Sequence, residues 1–281
     1  MTFCLPESSF RVTRRCARTS LKCILDFRVM SIALVCFAAS IGHGQAPQSD
    51  ARAVSLATQS IAALSGGNVI SDVTLIGTGV WTVAGNSETA NATLMAKGTA
   101  ESRFDMLLGA GPRSEIRNDG SATALGEVLI PDGTILRWGF QDTLLNAAWF
   151  FPQLSILAST GDSRLIFLYI GQERRNGAAV QHIQTYRYSA TNTAAVQQWS
   201  TMDIYLDSIS FFPVAFVFNI YSIDGSQIIP AEIDFASYVS VGGVQVPFRV
   251  QRYVAGNLGV DFTVTSAQFN SGLQDSLFAI Q

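Results

Sequence analysis

Few side chains in this sequence can do chemistry, and they are scattered. Past residue 44 the chain holds one histidine, His182, one lysine, Lys97, and no cysteine. All four cysteines, Cys4, Cys16, Cys23 and Cys36, come before residue 37. Zinc needs several nitrogen or sulfur ligands at close spacing, so the ordinary zinc patterns are excluded. No dense Asp/Asn/Gly loop offers calcium a cage, and no glycine loop ends in a lysine that would cradle a phosphate. Ser163, within Gly161-Asp162-Ser163, has the neighbours of a hydrolytic nucleophile. Such a serine needs a base within hydrogen-bond reach, and no histidine follows His182. Glu232 and Asp234 project from one strand face, about 7 Å apart by strand rise, and paired carboxylates can run glycoside hydrolysis. Their alternating neighbours Ile233 and Phe235 claim the core, which sends the two carboxylates to solvent. Asp203 and Asp207, around Ile204 and Leu206, follow the same logic. The sequence predicts no catalytic residue, no metal site and no cofactor.

What the chain has in quantity is aromatic bulk. Trp81, Phe104, Trp149, Phe150, Phe216, Phe218, Phe248 and Phe262 fall on apolar faces. Two readings stay open for them. They fill an ordinary packed core, or they line a cavity that accepts an acyl chain or a similar apolar ligand.

The elements that would position these rings follow from periodicity. Residues 29–42 carry no charge, are preceded by Arg11, Arg14, Arg15, Arg18, Lys22 and Arg28, and lead to Gly42-His43-Gly44. A basic segment, a short apolar run and a small-x-small site make a removable secretory leader over 1–44. The run of about 14 residues is short of the roughly 20 a membrane-spanning helix needs, so no permanent anchor is expected once the leader is gone. The rest, 45–281, carries a net charge of roughly −7, which disfavours nucleic-acid backbones. Ser49 is placed to cap a helix over Ala51–Leu64, closed by Gly66-Gly67. Alternating segments then dominate, beginning at Val73 and running to Phe269. Asp142–Ala158 interrupts them with apolar residues at three- and four-residue steps. The pattern predicts a second, buried helix there, kinked or divided at Pro152. With no linker and no repeat, 45–281 reads as one domain. The fold class is α+β: an incomplete, strongly curled antiparallel β-barrel of about ten or eleven strands enclosing helices, since open sheets of that width tend to curl. A two-sheet sandwich is the alternative.

Three segments carry a resemblance: Ala148-Trp149-Phe150-Phe151-Pro152, Gly243-Val244-Gln245-Val246-Pro247-Phe248 and Phe269-Asn270-Ser271-Gly272-Leu273-Gln274-Asp275-Ser276-Leu277-Phe278. The last two resemble the C-terminal pattern of the LolA/LolB-like, lipoprotein-carrier-like superfamily. All three together look like a group of exported bacterial proteins with that fold. The resemblance implies an incomplete barrel with an apolar cavity, a periplasmic or secreted location, and a lipid or acylated protein as partner. No ligand-contact motif of the carriers is present to transfer. The expected protein is a monomeric, non-enzymatic carrier, or else a structural or interaction module of the envelope with a filled core.

Overall fold

The computed structural model describes residues 46–119, 125–145, 148–191, 193–222 and 226–281. The expected leader lies outside them. Period-2 alternation sets the strands, because one face of each is apolar. β1 (Asp72–Val83), β2 (Asn86–Lys97), β3 (Glu101–Leu108), β4 (Gly111–Asn118), β5 (Leu125–Leu129) and β6 (Ile135–Arg137) form one antiparallel meander. β7 (Leu165–Arg175), β8 (Ala178–Arg187), β9 (Met202–Asp207), β10 (Pro213–Tyr221), β11 (Ile228–Val241), β12 (Val244–Val254) and β13 (Asn257–Phe269) form a second. β13 pairs with β1, fusing both into one 13-stranded sheet whose edges are β6 and β7. The two edges do not pair, so the barrel is incomplete.

The curl can be measured. β4 and β12 stand five places apart in the strand order. A flat sheet would separate them by about 24 Å. Instead Glu115 on β4 and Arg252 on β12 make hydrogen bonds of 2.6 and 2.7 Å. The sandwich alternative is thereby corrected to a single rolled sheet. The strand count exceeds ten or eleven mainly because Gly111–Asn118 has no alternating apolar set to announce it.

Helix α1 (Ala51–Ser65) ends at Gly66 in the left-handed conformation, where a Cβ would lie 2.2 Å from the Gly243 carbonyl oxygen. Its N-cap is Asp50, not the expected Ser49. Both residues serve the open edge of β7 instead. Asp50 N donates to the Phe167 carbonyl (2.7 Å), Phe167 N donates to Ser49 Oγ (3.0 Å), and Tyr169 N donates to Asp50 Oδ2 (2.9 Å). These bonds cover groups that an edge strand would otherwise leave open to another chain.

The helix expected over 142–158, kinked or divided at Pro152, is corrected to short turns. Its residues 146–147 lie outside the described set. Around them stand a single turn, α2 (Phe140–Thr143), and two 3-10 turns, Pro152–Leu154 and Ile156–Ala158. Proline disfavours helical backbone in the residue before it, and Phe151 is extended at φ −136°, ψ 95°. The segment is still the barrel's filling: Leu144, Leu145, Trp149, Phe150, Phe151, Leu154 and Leu157 are all buried. A helix the sequence did not announce, α3 (Thr193–Ser200), packs on β8 and β10.

Candidate ligand-binding cavity

Strand β4 carries Arg113, Glu115 and Arg117 at alternate positions, hence on one face. Its register pairs them with Met106, Phe104 and Ser102 of β3, residues whose side chains are in the interior. The charged face therefore points inward. The other face, with Ser114 and Ile116, is covered by the chain's C-terminal segment. There Arg103 Nη1 donates to the Leu277 carbonyl (3.1 Å), Gln281 N donates to Glu127 Oε2 (3.1 Å), and Phe278 is fully buried. From the opposite wall β12 brings Val244, Val246 and Val250 inward and then, two places on, Arg252.

Glu115 sits at the centre, 5% exposed. Arg252 grips it with both terminal nitrogens, and Arg113 Nη2 lies 2.8 Å from its Oε1. Burial pushes the Glu115 carboxyl up. The charge and hydrogen bonds of Arg252, with the charges of Arg113 and Arg117, outweigh it and hold the carboxyl at about 2. Burial lowers the Arg117 guanidinium to about 10, against the opposing pull of Glu115; at neutral pH it keeps its charge.

Each arginine lies on its own tryptophan. The guanidinium carbons sit 4.0 Å (Arg113 on Trp81), 4.4 Å (Arg117 on Trp138) and 4.7 Å (Arg252 on Trp149) from the ring centroids. A cation over a ring face is attracted by the ring's quadrupole, and weaker hydration of guanidinium makes its burial there cheaper. Gly126 makes the Trp138 placement work, because a Cβ there would fall 2.2 Å from the indole Cε3.

These groups border a cavity of about 250 Å³. Its remaining wall is largely apolar and includes Val128, Leu145, Phe218, Ile220, Ile233 and Val254. Arg252 and Val254 end β12, while Gly243, at its start, touches the end of α1. The helix and the cavity thus occupy opposite ends of a strand about 30 Å long. Between them the barrel is filled.

Of the eight aromatic residues expected at a ligand site, Trp81, Trp149 and Phe218 border this cavity. Phe104 stands behind Trp149, edge to face at 5.8 Å. Phe150, Phe216 and Phe262 are fully buried in the packed interior, and Phe248 is half-buried against it. The charged residues of the wall escaped sequence reasoning. Arg113, Glu115 and Arg117 alternate with Ser114, Ile116 and Asn118 and leave no contrast between faces. The signal that could have found Arg252 is that it continues the inward set of Val246 and Val250.

The other reactive groups have structural partners. His182 stacks on Tyr205, with Nε2 2.9 Å from Asp203 Oδ1 and Nδ1 3.0 Å from Glu173 Oε1. Ser163 is exposed in a turn whose Asp162 is paired with Arg164. Asp207 accepts bonds from the Ile209 and Ser210 amides. Lys97 pairs with Asp275. Among the described residues no group of three or more His, Cys, Asp or Glu is placed to hold a metal. No helix among them is long and apolar enough to cross a membrane.

Glu232 and Asp234 share Arg175, with Glu232 hydrogen-bonded to it. Burial first, then the hydrogen bond and charge of Glu232, raise the Asp234 carboxyl to about 7. A raised carboxyl favours the folded state most below its ordinary value of 3.8 and loses that contribution as pH rises through about 7. Asp234→Asn removes the dependence. Melting curves across this range are expected to show the variant gaining on the parent, by roughly 1–4 kcal/mol at alkaline pH. A constant offset at every pH would contradict this.

No protein-family model matches the sequence, and no curated protein matches it significantly. Solved structures do match, at low identity. A domain described as an outer membrane lipoprotein-sorting protein from Vibrio parahaemolyticus aligns at TM-score 0.53 and 11% identity, over 81% of this chain and 96% of that one. A DUF1329 family protein from Desulfovibrio piger gives 0.53 and 11%, over 83% and 98%. A LolA superfamily protein from Nitrosomonas europaea gives 0.50 and 11%, over 81% and 97%. The likeness runs nearly the full length of those chains and is one of fold: an incomplete, curled, LolA-like barrel.

Proposed function

We propose that this is an exported, periplasmic, non-catalytic binding or carrier protein that takes an apolar ligand, a lipid or a lipoprotein acyl chain, into the cavity between β4 and β12. The observation that carries the reading is the cavity itself, about 250 Å³ with an apolar wall, in a sheet whose solved neighbours include a lipoprotein-sorting domain. Small-molecule sites are typically of about 300–1,000 Å³ and mostly apolar, so the volume suits one end of a chain. Residues 1–44 serve as the removable leader and 45–281 as the single working domain. A recovered N-terminus at Gln45 checks the boundary.

Mass spectrometry of an organic extract of the purified protein is expected to reveal a co-purifying lipid. Three of the chain's four tryptophans border the cavity, so ligand entry is also expected to change intrinsic fluorescence. Ala231, on the same wall and buried, offers a blocking variant. Ala231→Phe is expected to abolish the fluorescence response at a cost of about 1–3 kcal/mol in stability. A response that survives the block, or no lipid and no response in the parent, removes the proposal. The envelope module with a filled core then remains, favoured by the complete burial of Phe150, Phe151, Phe216 and Phe262.

A further inference from the structure

We infer that the arginine-lined end of the cavity binds the carboxylate head of a single-chain amphiphile, a fatty-acid anion in its simplest form, with the chain lying along the apolar wall. The inference deepens the binding reading above and rests on it.

Charge is the first argument. Among the described residues, five ionisable side chains border the cavity: Arg113, Arg117, Arg252, Glu115 and Asp142. With all of them ionised, three cations face two anions among the described residues. Burial raises the Asp142 carboxyl, against the Tyr221 amide and the charge of Arg117. Positive charge held in largely apolar surroundings is costly unless anions meet it.

Hydrogen-bond accounting is the second. Arg113 is 9% exposed, and its Nη1 is buried without a hydrogen-bond partner among the described residues. Its sister nitrogen already serves Glu115. A buried donor left unmet costs about 1–3 kcal/mol, and charge-assisted bonds are the stronger kind. An incoming carboxylate oxygen meets that donor.

Shape is the third. The guanidinium fork matches a planar carboxylate, and the site already displays that match in the two-point grip of Arg252 on Glu115. The three tryptophans continue from the arginines into the apolar wall, so head and chain each meet a complementary surface.

The test uses purified protein stripped of lipid, titrated with the fluorescent fatty acid cis-parinaric acid and with its methyl ester. The acid is expected to bind about 10-fold or more tightly than the ester. Arg113→Gln is expected to erase that preference, so that acid and ester bind alike. Should this variant not fold, Arg117→Gln supplies the same reading. Equal binding of acid and ester in the parent overturns the head-group inference and leaves the cavity proposal standing. So does a preference that persists in the folded variants. Failure of both probes to bind the parent overturns the cavity proposal itself. Stronger displacement of cis-parinaric acid by dodecyl phosphate than by dodecanoate overturns the choice of a carboxylate.

Discussion

Replacing Glu115 by Ala is expected to lower stability by about 3–5 kcal/mol, the usual cost of leaving buried charge uncompensated. For a domain of this size that is a fall in melting temperature of about 6–20 °C. Three guanidinium groups would then border one cavity, with Asp142 the acidic residue that remains beside them among the described residues. The isosteric Glu115→Gln separates charge from shape and is expected to lose most of the same amount. Linkage gives an independent check. The Glu115 carboxyl ordinarily titrates near 4.5 and is held here at about 2. A depressed carboxyl stabilises the folded state above its unfolded value and loses that contribution as pH falls toward the folded one. The parent is therefore expected to lose about 3 kcal/mol between pH 4.5 and 2 through this group. Glu115→Gln lacks that loss. Denaturant titrations of parent and variant at neutral and acidic pH measure both; parallel curves would show that Glu115 is not the compensating anion.

Trp149→Ala is the second large effect, expected at about 3–5 kcal/mol. The indole is 3% exposed and has a ring on two sides, Phe104 at 5.8 Å and Phe150 at 5.5 Å, both edge to face. Arg252 lies over it at 4.7 Å. The substitution opens a hole and strips the covering from a buried guanidinium at once. Trp149→Phe keeps a face for Arg252 and is expected to recover well over half of the loss. Trp81→Ala is the contrasting case, since that ring is half-buried and holds mainly Arg113; about 1–2 kcal/mol is expected. Equal costs for the two tryptophans would mean that Trp149 has no special place in the packing.

The fold was legible because most strands carry one apolar face. Val244, Val246 and Val250, or Val260, Phe262 and Val264, can be placed only one way round, and the structure buries each of them. The middle segment was half legible. Its composition told that it is buried, and the same composition imitated a helix. Pro152 divides it, and being surrounded by sheet on all sides removes the need for any single period. The charged wall was not legible, because no rule of alternation marks a polar face that turns inward. Only the continuation of the β12 inward set to Arg252 could have pointed to it. His182, Asp203 and Asp207 each have close polar neighbours on adjacent strands or in their own turn.

The pairing of β1 with β13 has a kinetic consequence. The seam in the middle of the sheet joins strands nearly two hundred residues apart, as Val73 opposite Phe269 shows. Contacts so distant along the chain make assembly slow. A ribosome that delivers this polypeptide from its N-terminus onward holds a half-sheet waiting for its complement. Such a chain stays threadable until its last strand has been delivered.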